Sequence, residues 1–292
     1  MEGLAPVDGW AIAAIIAKAV GYGAALLAMG GPLFILAFPR ASADVQKLAR
    51  KIALIAALIG LAVLALRFGI RAARISGMGF PGAVDPMMLG FVWDSPLGAA
   101  AIWRGAGELL VVAVLLKGVV GLGIGLIGAL LIAVSYAFVG HSLGDPRWLL
   151  ALLLTLHLLA AGFWIGALAP LRHAVGQPAG ASLLHRFGNV ASITVALLVV
   201  AGLIFAWLMT GSLTATVTTA YGWTLLAKLC VVAGLMILAA LNKWRYVPAL
   251  ASGEPTAAPH LRRSIQIEAV VVLLILITTA TLTSITTPPV NF

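Results

Sequence analysis

The chain has 292 residues, of which 62% are hydrophobic and 9% charged, with a mean hydropathy of +1.12. Soluble domains run near half apolar and a quarter charged, so this composition excludes a soluble globular protein and predicts a polytopic membrane protein. The net charge of +9 gathers mainly at the ends of apolar runs, where it reads as an orientation signal and not as a nucleic-acid surface.

Eight apolar runs long enough to cross a bilayer follow one another, at approximately 10–38, 51–74, 97–117, 120–140, 147–171, 186–211, 222–246 and 262–286. The expected fold is all-α, an eight-transmembrane-helix bundle forming a single integral membrane domain over 1–292. The first run follows MEGLAPVDGW, whose Glu2 and Asp8 stand where a signal peptide would carry basic residues, so it is read as a retained span. It holds Lys18. Between the second and third runs, 75–96 reads as a linker in which Met78, Met87 and Met88 lie among Gly and Pro. Thioethers are soft ligands that favour Cu(I), which makes Met87 and Met88 possible metal contacts.

The third run contains Arg104 and Glu108 at i, i+4, a spacing that predicts an ion pair. Glu108 also falls at a depth similar to that of Lys18, an alternative partner. The fourth run ends at Gly140-His141, and the turn GHSLGDP carries Asp145 into the fifth. There, His157 sits inside LLALLLTLHLLAAGFWIGALAPL. Ten residues into the span, it lies roughly 15 Å below the surface. His157, Ala161, Trp164 and Leu168 share one helical face, so Trp164 is a candidate wall below the histidine. Ala160, Ala161, Gly162 and Gly166 allow close helix approach.

The seventh run holds Lys228, expected to snorkel toward the surface, and Cys230, the single cysteine, which excludes an intramolecular disulfide. Residues 247–261 read as a linker. The eighth run holds Glu268, for which Arg186, Arg245 or Arg263 is the expected counter-charge.

Odd-to-even loops carry Arg40, Lys47, Arg50, Lys51, Lys117, Arg172, Arg186, Lys243, Arg245, Arg262 and Arg263, eleven cations. Arg67, Arg71, Arg74, Arg104 and Arg147 make five on the other side. The positive-inside rule then places both termini outside the cytoplasm, with His141, Asp145 and the methionines on the outer face. Two imidazoles at different depths on antiparallel neighbours suit stepwise handling of a metal ion, since neutral imidazole binds copper and zinc.

Several of these segments resemble the bacterial copper resistance D family, the membrane partner of a small periplasmic copper-binding C protein. The matching residues are Gly140-His141, LHLLAAGFWIGAL with His157, Trp164 and Gly166, and Arg186-Phe187. Tyr221-Gly222 with Lys228, Asn242, and Leu261-Arg262-Arg263 with Glu268 complete them. The resemblance is strongest over 140–286 and rests mostly on span count before that. Leu154 stands where many relatives carry an acid, and Gly188 where the family has serine.

The resemblance implies copper, as Cu(I) or Cu(II), moved across the bacterial inner membrane from periplasm toward cytoplasm, and the residues themselves supply the route, through His141 and His157. A periplasmic C-type protein is the implied partner, and charge complementarity makes Arg71, Arg74 and Arg147 the candidate residues to dock it. There is no Walker A motif, and no enzymatic activity is expected. Two competing readings are a b-type haem or quinol oxidoreductase, in which the histidines ligate haem, and a copper-holding assembly factor that does not translocate the ion. Haem needs two imidazoles facing one iron, which the difference in depth disfavours.

Overall fold

A computed structural model describes residues 8–140 and 144–285. The described residues contain eight helices long and apolar enough to cross a membrane. Their cores are α1 (Gly9–Ala37), α2 (Ala43–Ser76), α3 (Pro96–Val111), α4 (Val119–Ser135), α5 (Arg147–Ala174), α6 (Gly180–Thr210), α7 (Ala220–Leu241) and α8 (Ala257–Ile285). Every expected apolar run is one of these helices.

Polar residues at the run boundaries start and stop them. Asp8 accepts the Ala11 N–H at 2.7 Å to begin α1, and Ser42 Oγ accepts from Val45 to begin α2. Gly77 ends α2 with φ 67°, a left-handed cap that a side chain would strain.

The segments expected to be linkers are partly helical. Residues 75–96 fold into two short helices, Phe80–Val84 and Pro86–Trp93. Asp85 causes the second by accepting the Met88 N–H at 2.9 Å, with Pro86 in the first turn. At the other linker, α7 passes through a π-helical turn, Asn242–Tyr246, into a short helix, Val247–Ala251.

Helix α1 is the hub of the bundle, packing on α2, α3, α4, α5 and α8. It crosses α5 backbone to backbone: a Cβ on Gly30 would stand 2.5 Å from both the Gly162 carbonyl oxygen and the Gly166 Cα. Helices α3 and α4 meet the same way at Gly107 and Gly128. One apolar cluster draws side chains from all eight helices, among them Phe34, Ala53, Val111, Ile132, Phe163, Leu184, Leu235 and Leu261.

Helix α6 lies against α5, and α7 against α8. Only 11% of the apolar window of α6 and 6% of that of the α7 segment are buried, so both are outer helices facing lipid. The loops after α1, α3, α5 and α7 share one end of the bundle, where Ser42 Oγ donates to Gln177 Oε1 at 2.6 Å and Arg50 Nε donates to the Val114 carbonyl at 3.1 Å. The eleven loop cations lie at or toward this basic end.

Candidate functional site

His141 lies outside the described residues, so its place relative to His157 is not described. His157 is half-buried on α5. Its imidazole lies against the Leu198 main chain of α6 and within electrostatic reach of Lys228 on α7. The ring therefore faces the seam between α5 and the two outer helices. Leu154, at the position where an acid was expected by analogy, packs on the apolar core. The main chain of Leu198 is the neighbour that can orient the imidazole in its place.

Trp164 is buried, seven residues beyond His157 on α5 and about 10 Å further toward the basic end. Its indole nitrogen is directed at the Glu268 carboxylate of α8, outside full hydrogen-bond geometry. Glu268 is buried too, and Asn242 Nδ2 donates to its Oε1 at 2.5 Å. The expected arginine partners do not take this role. Arg245 lies over the Tyr246 ring, and Arg186 and Arg263 are exposed.

The other intramembrane charges also find partners that spacing does not predict. Arg104 Nε donates to Ser135 Oγ at 3.0 Å, and its guanidinium stacks 3.9 Å above the Tyr136 ring, so α4 takes the cation. Glu108, fully buried, has no hydrogen-bond partner on either oxygen, and the expected pair with Arg104 does not form. Its carboxylate fills the space above Gly60 of α2. Lys18 is not its partner either: Lys18 Nζ donates to the Thr283 carbonyl at 2.5 Å, beside a 3.0 Å hydrogen bond between Tyr22 and the Thr283 hydroxyl.

Arg67, Arg71 and Arg74 of α2 lie within electrostatic reach of Lys18, and Arg67 also of Tyr22, Tyr136 and Arg104. Near the end opposite the basic loops, Lys18 and Arg104 are thus held by neutral groups, with the half-buried Arg67 and Arg74 close by and Arg71 exposed. Ser135, Thr283 and Asn242 are the residues that spacing rules overlook; their signal is a hydrogen-bonding side chain within an apolar run.

At that same end, Met87 is exposed and Met88 half-buried on the short helix Pro86–Trp93. Asp145 is exposed beside the start of α5. Among the described residues, no group of three or more His, Cys, Asp and Glu is placed to hold a metal ion. Among the described residues, the polar groups placed near the His157 imidazole are the Leu198 main chain and the Lys228 amine.

The family described as Copper resistance protein D matches residues 181–282, and the Copper resistance protein D-like N-terminal domain matches residues 8–146. The chain belongs to the copper resistance D family. It is therefore a copper-resistance-related membrane protein. The N-terminal match shows that the likeness to the copper resistance D family reaches well before residue 140, where sequence alone offered mostly span count. Helix α5, with His157 and Trp164, falls between the two matched segments of this copper resistance D chain. Searches of curated proteins and of solved structures found no match.

Proposed function

We propose that the protein carries copper ions across the bacterial inner membrane, from the periplasmic face toward the basic cytoplasmic face, with His157 as the intramembrane ligand. The supporting observation is the position of His157, half-buried on a central helix and turned to a seam shared with α6 and α7. Membership of a copper resistance family supplies the cargo. Imidazole nitrogen suits copper in both oxidation states.

Copper enters in this reading past Met87, Met88 and Asp145, engages His141 at the mouth and then His157. The ion leaves at the basic end. Arg71, Arg74 and Arg147 dock a separate acidic periplasmic copper carrier of the C type by charge complementarity. The bundle acts as one integral membrane domain with both termini outside the cytoplasm, the orientation the positive-inside rule favours.

The test is metal analysis of purified wild type and His157→Ala with Cu(I), Cu(II) and Zn, followed by copper flux in proteoliposomes. Loss of bound copper and of flux in the variant is the expected result. Unchanged stoichiometry and flux would remove His157 from the route.

A further inference from the structure

Glu268 is 4% exposed inside the bundle, and its described contacts are neutral: Asn242 Nδ2 at 2.5 Å and the nearby Trp164 indole. The surrounding charges are turned elsewhere. Lys243 donates to Ser192 Oγ, Arg245 covers Tyr246, and Arg262 reaches toward Gly176. Arg172, His173, His185, Arg186, His260 and Arg263 are exposed at the basic end. On the elements packed against α8, Lys18 of α1 is held by Thr283, His157 of α5 faces Leu198, and Lys228 of α7 is near His157.

An ionised carboxylate in such a place is strongly disfavoured, whereas a protonated one needs an acceptor for its O–H. Asn242 Oδ1 is buried and has no hydrogen-bond partner. Half a turn of that amide exchanges its donor for its acceptor, so one residue can serve both forms of Glu268: Nδ2–H to the carboxylate, Oδ1 from the acid. Ser264 Oγ, one turn earlier on α8, is likewise buried without a partner and can donate or accept. The π-helical turn begins at Asn242 itself, a backbone irregularity that recurs at functional sites.

We propose that Glu268 is a reversible proton-binding site, with Asn242 as its exchangeable partner, that couples proton movement to passage of the metal ion along α5. Binding forms one O–H bond from a proton supplied by water. Approach of the metal cation past Trp164 breaks that bond and returns the proton to water, so the interior never gains the full charge of the ion. The coupling rests on the transport reading above; the proton site itself does not.

Infrared difference spectra of the full-length protein in liposomes, taken across a pH series, test the site. Expected is a carbonyl-stretch band of a buried carboxylic acid that titrates and disappears in Glu268→Gln. Asn242→Leu moves its midpoint by about one pH unit, a tenfold change in proton affinity. Glu268→Asp, which keeps an acid on a shorter stem, retains a displaced band and guards against loss through misfolding. A titrating band no weaker in Glu268→Gln than in wild type, or no such band in wild type, overturns the site; a component that disappears instead in Glu108→Gln belongs to Glu108, the other buried carboxyl, and is subtracted first.

Copper flux with and without an imposed pH gradient tests the coupling. Wild-type flux responds to the gradient and Glu268→Gln flux does not; an equal response in both overturns it. If wild-type liposomes move no copper, the transport reading and the coupling fail together, while the infrared result still decides the proton site.

Discussion

Gly30 of α1 and Gly166 of α5 touch through their backbones, so neither position has room for a side chain. This contact sets how closely the hub helix approaches the helix carrying His157. Gly166→Val forces the two apart and lowers the midpoint of thermal unfolding in detergent, by about 1–3 kcal/mol of overpacking. It also lowers copper binding through displacement of His157. A variant that melts like wild type would show that the crossing tolerates separation.

The Gly60 and Glu108 contact gives a second, paired prediction. A methyl on Gly60 would overlap the fully buried Glu108 carboxylate, so the Glu108 side chain would have to shift. Gly60→Ala therefore destabilises by about 1–3 kcal/mol. Adding Glu108→Ala recovers part of the loss, with a coupling of about 0.5–3 kcal/mol in a double-mutant cycle. Additive effects of the two changes would separate the residues.

Lys18→Met removes the donor to the Thr283 carbonyl near the end of α8. Leaving this half-buried acceptor unsatisfied costs about 1 kcal/mol, toward the low end for buried groups. The expected signature is a lower unfolding midpoint together with faster cleavage of α8 by protease. Unchanged protease resistance would mean that water replaces the ammonium at no cost.

His157→Met separates oxidation states. A thioether keeps affinity for Cu(I) and loses it for Cu(II) and Zn. Metal analysis of the variant loaded with each ion should give Cu(I) alone near wild-type stoichiometry, and full retention of zinc would argue that His157 is not a ligand.

Met87→Leu with Met88→Leu acts at the outer rim. Flux at low copper falls while flux at saturating copper stays, because capture is weakened and the intramembrane route is untouched. An equal loss at both concentrations would place the defect inside the bundle.

The spans are legible in the sequence because the hydrocarbon thickness demands long apolar runs and the chain supplies eight, each closed by a cap or a cation. The small residues of α5 allow a close helix approach, but only the structure names Gly30 of α1 as the partner. Charge partners are less legible. Spacing brings Arg104 and Glu108 to one side of α3, yet Ser135 and Tyr136 of α4 offer the guanidinium a hydrogen bond and an aromatic face. Nearness in sequence says nothing of which neighbouring helix supplies the better donor or acceptor. Glu268 shows the same thing: opposite charges flank it in sequence, and an amide from α7 holds it in space. Residues 75–96 are helical where a linker is expected because Asp85 and Pro86 start a helix that has no apolar period to betray it.

The contact between Lys18 and Thr283 joins the first helix to the last. The donor precedes its acceptor by 265 residues, so α1 is made well before the partner of Lys18, and this contact closes only once α8 has joined the bundle.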